Sequence, residues 1–295
     1  MKILITGNMG YVGPSVVSHL RARHPDWMID GFDAGYFAHC LTGAAELPER
    51  MVDRQIFGDV RAISPKLFEG YDGIVQLAAI SNDPMGDRFA TVTQDINCNS
   101  AVAITGAAAA AGAKAMVFAS SCSVYGVADG PRRETDPVVP LTAYAKSKVE
   151  AEQGIEKVGG AMITTCLRFA TACGMSDRLR LDLVVNDFVA SAIAADDITI
   201  LSDGTPWRPL IDVRDMARAI EWALLRRDGQ GGRHLVMNAG CEASNYRVIE
   251  IAEEVAKAKA GVRINVNSDA PMDSRSYRVD FGLFSRLAPD HQPQV

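Results

Sequence analysis

The chain has 295 residues, 48% of them hydrophobic and 22% charged, and its 30 Lys and Arg against 36 Asp and Glu leave a net charge of −6. That length supports one large domain or two modest ones with a sizeable core, and the composition excludes a disordered or fibrous chain. With no long run of Lys or Arg, sequence-independent binding to nucleic acid is excluded, so an anionic ligand must be held by local arginines and helix ends.

Met1-Lys2-Ile3-Leu4-Ile5-Thr6-Gly7 is too short and broken too early for a signal peptide. The longest weakly apolar run, 101–113, is mostly Ala and ends at Lys114, which predicts a packed helix and no membrane span. Cys40, Cys98, Cys122, Cys166, Cys173 and Cys241 form no CxxC pair, which points to free thiols in a cytoplasmic protein. The five histidines show no HExxH or HxxxH spacing, so no metal is expected.

Short apolar runs predict strands over 2–6, 27–33, 55–58, 73–78, 115–120 and 162–169, with helices over 12–23, 65–69, 89–111 and 143–158 between them. This alternation calls for an α/β fold of Rossmann type, a doubly wound parallel sheet with its crevice at the carboxyl ends of the strands. After Thr171 the rhythm changes. A helix is expected over 183–195, a strand over 198–201, the run Arg208-Pro209-Leu210-Ile211-Asp212-Val213, a helix over 215–227, a strand over 234–238, a helix over 246–260, a strand over 263–267 and a helical start over 283–287.

The first strand runs into Gly7-Asn8-Met9-Gly10-Tyr11-Val12-Gly13. One glycine permits the tight turn, a second lets backbone approach a pyrophosphate, and a third lets helix and strand pack closely. The helix N-terminus then offers unpaired N–H groups and a partial positive charge, and Pro14 suits its first turn. Asp33 ends the second strand, where a carboxylate can hold the ribose hydroxyls and repel a 2′-phosphate, favouring NAD over NADP. Asp59, followed by Val60, either meets the adenine or merely ends a loop. The expected division is therefore a dinucleotide-binding domain over 1–170, with returns near 206–239, and a smaller substrate lobe over 171–205 and 240–295.

Tyr144 and Lys148 are four residues apart, hence on one face of a helix. An ammonium near a phenol stabilises the phenolate, which would equip Tyr144 to take a proton from an alcohol near neutral pH. The fifth strand ends in Ser120-Ser121-Cys122-Ser123 and the fourth in Leu77-Ala78-Ala79. Ser121 can bond the oxygen that Tyr144 deprotonates, and the small residues let a flat ring lie close to backbone.

Taken together, the glycine turn, Asp33, Asp59, Leu77-Ala78-Ala79, Asn97-Cys98-Asn99, Ser121 with Val124-Tyr125-Gly126, and Tyr144 with Lys148 resemble the extended short-chain dehydrogenase/reductases. Within them the chain is most similar to the NAD-dependent epimerase/dehydratase family that modifies nucleotide sugars. The resemblance implies Tyr144 as catalytic base, Lys148 as holder of the nicotinamide ribose, Ser121 as partner of the reacting hydroxyl, and Asn97 and Asn99 beside the cofactor. It further implies that Ser123, Asn186, Arg208 and Arg275 meet a nucleotide-diphosphate sugar, and that the helices over 89–111 and 143–158 form a homodimer interface.

Departures from the family narrow the chemistry. Sugar dehydratases carry Asp-Glu after the Ser or Thr, and this chain has Cys122-Ser123. Decarboxylating members have an acid at the position of Ser123, and 3,5-epimerising members a cysteine there. A 4-epimerase is therefore the expected activity. The alternatives are a reductase of 4-keto-6-deoxy nucleotide sugars and a non-catalytic dinucleotide sensor. Selectivity for base and sugar falls to the stretch 175–183 and Trp207.

Overall fold

The computed structural model describes residues 1–267 and 275–294. Its first half alternates strands and helices as β1 (Lys2–Thr6), α1 (Gly13–Arg23), β2 (Met28–Asp33), β3 (Arg54–Phe57), β4 (Gly73–Gln76), α2 (Asp83–Arg88), α3 (Ala90–Gln94), α4 (Ser100–Ala110) and β5 (Ala115–Ser121). There follow β6 (Val127–Arg132), α5 (Ala143–Val158), β7 (Ile163–Phe169), β8 (Thr171–Cys173), α6 (Val184–Ala195), β9 (Asp197–Ile200), β10 (Trp207–Asp212), α7 (Val213–Leu225) and β11 (His234–Ala239). The chain closes with β12 (Asn245–Arg247), α8 (Val248–Ala258), β13 (Arg263–Val266), β14 (Ser276–Val279) and α9 (Gly282–Leu287).

Seven strands form one parallel sheet in the order β11-β7-β5-β4-β1-β2-β3. Their apolar runs are buried on both faces, with Ile3, Leu4, Ile5, Ile74, Val75, Val117 and Leu167 all removed from solvent, as a sheet covered by helices requires. The order reverses beside β1, so the crevice of a doubly wound sheet opens at the carboxyl ends of β1 and β4. The glycine turn leaves β1 at that point.

The second half builds a smaller lobe. α6, β9, α8 and β13 share their own core of Phe188, Ile198, Ile200, Val248 and Ile251. A three-stranded sheet, β12-β10-β8, joins it to the large lobe. The expected return to the main sheet is made by β11, which pairs with β7.

Several expectations need correction. The helix expected over 89–111 is broken into α3 and α4 by a π-turn over Asp95–Asn99, within which the buried Asn97 amide bonds Ile80 and Ser147. The helix expected from Tyr246 begins at Val248, because Tyr246 is spent on the ladder with Arg208. The C-terminal stretch, assigned to the substrate lobe, packs on the large one. Its β14 pairs with β6, and Phe281 and Phe284 enter the main core. α2, β6, β8 and β14 are additional to the predicted elements. No helix among the described residues is long and apolar enough to cross a membrane, and all six cysteines are free.

Candidate active site

The glycine turn is shaped by three close approaches. Gly7 adopts φ +77°, and a Cβ there would lie 2.4 Å from Ala78 N, so β4's Leu77-Ala78-Ala79 end backs directly on the turn. A Cβ on Gly13 would lie 2.0 Å from the Asn8 carbonyl oxygen, whereas one on Gly10 would meet only Gly7 O, at 3.3 Å. The first and third glycines therefore fit protein against protein, and Gly10 borders open space. Among the described residues the N–H groups of Tyr11 and Val12 have no protein acceptor, and α1 has no side-chain cap. Unpaired donors at the start of an eleven-residue helix suit a pyrophosphate. Asp33 lies against the same turn, its Oδ2 accepting from Met9 N at 3.0 Å and its Oδ1 from Gly35 N at 2.8 Å. These residues fit a dinucleotide.

The lower rim is more structural than expected. Asp59 caps the turn that follows it and is held by Arg61, while Val60 packs in a core cluster with Leu4 and Phe32. Asn97 is fully buried. Its Oδ1 accepts from Ile80 N at 2.8 Å and its Nδ2 donates to Ile80 O and Ser147 Oγ at 2.9 and 3.1 Å. Its amide is spent on fixing the backbone just beyond Ala79, so it shapes the crevice floor from behind. Asn99, expected beside the cofactor, is exposed and bonded to Asp95.

Thr142 starts α5 by accepting from Ala145 N, a side-chain cap of the usual kind. One face of the helix then presents Tyr144 and Lys148. Lys148 is 2% exposed. Its Nζ donates to Ala119 O at 2.7 Å and lies 5.5 Å from the centre of the Tyr144 ring. Burial pulls its pKa down to about 7 against a counteracting pull from Glu152. Burial likewise pushes Tyr144 up to about 12, opposed by a hydrogen bond with Ser121 and by the charge of Arg180, while Asp83 adds to the rise. Within the protein itself, desolvation outweighs the favourable contributions at Tyr144.

Cys122 is fully buried and its thiol contacts Arg168 O at 3.1 Å, turned away from the crevice. The Ser123 hydroxyl is buried with no protein partner. Arg208 is buried and reaches the Arg275 carbonyl, so the two expected phosphate arginines are neighbours. Arg275 also pairs with Asp83; Asp273 and Ser274, which precede it, lie outside the described residues. Asn186 accepts from Gly174 N at 3.0 Å and donates to the Tyr11 phenol and Arg180 O at 3.0 and 2.9 Å. Tyr11 of the glycine turn and Asn186 of the substrate lobe are thus one cluster.

Two charged groups near Tyr144 were missed from sequence. Arg180 donates to Ser81 Oγ at 2.7 Å and forks onto Asp182, which also takes Asn82 Nδ2 at 2.7 Å. Asp83 accepts from Thr142 Oγ1 at 2.8 Å. The capping signal Asn82-Asp83-Pro84 was available for α2; nothing in the run Arg178-Leu179-Arg180 separates the crevice arginine from its buried neighbour.

Fold and glycine turn are those of a dinucleotide-dependent enzyme, with Ser121, Tyr144 and Lys148 gathered at the end of β5. Comparison gives the family: residues 3–240 match the NAD dependent epimerase/dehydratase family, and the chain belongs to it, with NAD as cofactor. It is 27% identical over 274 residues to a UDP-glucose 4-epimerase of Corynebacterium glutamicum, covering 86% of this chain and 79% of the other. The low-salt glycan biosynthesis protein Agl12 of Haloferax volcanii is 25% identical over 285 residues, covering 95% and 90%. Among solved structures, MoeE5 in complex with UDP-glucose and NAD superposes with a TM-score of 0.83 at 25% identity, over 100% of this chain and 94% of that one.

Proposed function

We propose that the protein is a nucleotide-sugar 4-epimerase acting at Tyr144, Ser121 and Lys148. The observation that carries this reading is the placement of the Tyr144 phenol against Ser121 at the end of β5, with the Lys148 Nζ on the same helix face behind it. The names of the relatives support it. So does the chemistry after Ser121, where a dehydratase would carry an acid pair and this chain has an inert thiol and a hydroxyl.

Tyr144 takes the proton of the sugar hydroxyl, and Ser121 bonds the same oxygen and fixes its direction. NAD, when bound, supplies the hydride-accepting chemistry and, through the positive charge of its oxidised ring, part of the field that makes Tyr144 acidic. Lys148 and Arg180 supply the rest of that field from the protein. The glycine turn and Asp33 hold the dinucleotide, Gly10 bordering its pyrophosphate. Asp59, Val60, Leu77, Ala78 and Ala79 line or support its site. Arg208 and Arg275 take the diphosphate of the substrate, since a guanidinium fork matches it, and Ser123 offers the sugar a hydroxyl with no competing partner. The keto sugar turns over in the crevice, takes the hydride back on its opposite face and receives the proton back from Tyr144 on the same oxygen, so no external redox partner is consumed. In this reading the enzyme is a cytoplasmic homodimer built on α4 and α5, which light scattering checks directly.

The deciding experiment incubates the purified protein with single UDP- and dTDP-sugars and follows sugar protons by NMR. Interconversion of 4-epimers with no net change in nicotinamide absorbance is expected. Stoichiometric consumption of NADH or NADPH with a keto sugar would replace this reading by the reductase, and nucleotide binding without turnover across the panel would replace it by the sensor.

A further inference from the structure

Behind the Ser/Tyr/Lys centre lies a buried charge cluster that the mechanism above does not use. Glu152 follows Lys148 by four residues, so Tyr144, Lys148 and Glu152 stand on three successive turns of one face of α5. Glu152 is 4% exposed and Arg168 of β7 6%. Arg168 forks onto the carboxylate, Nε to Oε1 at 3.0 Å and Nη2 to Oε2 at 2.7 Å. The Ser120 hydroxyl, one residue before Ser121, donates to Oε1. Among the described residues Lys148 itself touches no carboxylate. Its described contacts are Ala119 O and the faces of Phe118 and Tyr144.

A lone ammonium in such surroundings sheds its proton unless a fixed negative charge lies near. We propose that Glu152 is a positioning residue of this centre: held by Arg168 and Ser120, its carboxylate keeps Lys148 protonated and locks the end of β5 under Ser121. Arg168 works in the opposite electrical sense, so the pair sets the charge state of Lys148 between them.

The other titratable groups facing the cluster are few. From α5 there is Tyr144. From β7 there is Cys166, whose thiol burial keeps neutral. Cys122 and Tyr125, beyond the end of β5, face Arg168 and are likewise held neutral by burial. Glu134, Arg226 and His234 act from further out. Of these, Tyr144 alone contacts Lys148, through the face of its neutral ring, which leaves Glu152 as the near negative charge.

The inference rests on the assignment of Tyr144 and Lys148 as the reacting centre, and its test does not depend on finding the substrate. The full chain, labelled with ¹³C/¹⁵N-lysine, is titrated by NMR, and the Lys148 signal is assigned from Lys148→Met. Glu152→Gln is expected to lower the Lys148 midpoint by about 1 pH unit and Arg168→Gln to raise it by a similar amount. The doubly substituted Glu152→Gln/Arg168→Gln protein returns close to wild type. Once a substrate is in hand, the alkaline limb of kcat should move with these midpoints. A residue of purely structural importance would not give shifts of opposite sign. Midpoints that stay within about 0.3 unit, or that move the same way in both single variants, overturn the proposal. If Glu152→Gln fails to fold, Arg168→Gln alone decides it, by an upward shift or none. Failure of the epimerase reading would instead show as absent turnover with the opposed shifts intact.

Discussion

At the scale of single residues, the site is a contest between burial and charge. Tyr144 is held at about 12 and Lys148 at about 7 by the same desolvation acting on groups of opposite sign. The phenol resists ionising and the amine resists staying charged; the Ser121 hydrogen bond and the Arg180 charge oppose burial at Tyr144, and the Glu152 charge opposes it at Lys148. Removing the phenol oxygen removes the proton acceptor. Tyr144→Phe should lose about 10²–10⁴ in turnover while binding NAD normally, as seen by calorimetry. Cys122 gives the converse expectation. Buried completely and engaged with Arg168 O, it should resist iodoacetamide in the folded protein, and Cys122→Ala should keep turnover within about three-fold, a change worth under 1 kcal/mol. Rapid alkylation coupled to inactivation would return the cysteine to the list of catalytic groups.

At the scale of elements, the glycine turn separates two uses of one residue type. Gly13→Ala drives a methyl into Asn8 O and should cost the fold about 2–3 kcal/mol or more. Gly10→Ala, with Gly7 O as its one close neighbour, should leave the melting temperature of the free protein unchanged and weaken NAD binding. Thermal melts with and without NAD distinguish the two, and equal destabilisation by both would mean that Gly10 also serves packing. This turn was legible in the sequence because its chemistry is local: strand, glycines and helix start are contiguous. Tyr144 and Lys148, four residues apart on one helix, were legible for the same reason. The crevice floor was not. Asn97 was placed near the cofactor, but only the π-turn shows that its amide clasps Ile80. Likewise β6 and β14 pair across about half the chain, and β6 carries Gly130 and Pro131, so neither local pattern nor propensity marks them. Arg180, in the loop after β8, and Asp83, at the start of α2, act on Tyr144 through tertiary placement that no periodicity encodes.

At the scale of the whole molecule, a second charge cluster joins the large lobe to its own C-terminus. Glu221 of α7 is buried yet accepts from His19 and His24 at 2.6 and 2.7 Å, with His291 at 3.8 Å. Burial would raise its pKa, but the histidine hydrogen bonds outweigh it and hold it at about 2. A carboxylate depressed in this way adds stability that is fully present above its unfolded value, near 4.5, and is lost as pH falls through about 2. Glu221→Gln should therefore cost about 2–3 kcal/mol at pH 7. The gap to wild type should close as urea titrations are repeated from pH 5 down towards 2. A gap unchanged across that range would show that packing, and not charge, sets the contribution of Glu221.

The stretch 174–186 opens the small lobe in sequence, yet its bonds end on three loops of the large one. Tyr11 O accepts from Ser176 and its phenol donates to Gly174 O. Arg178 and the Asp177 carbonyl hold Ala38, Glu49 and Thr42, and Arg180 and Asp182 hold Ser81 and Asn82. A chimaera that grafts a relative's small lobe at residue 170 would import this strap and leave its anchors behind. Exchanging the small lobe between members of the family with these bonds intact requires carrying the three anchoring loops with it.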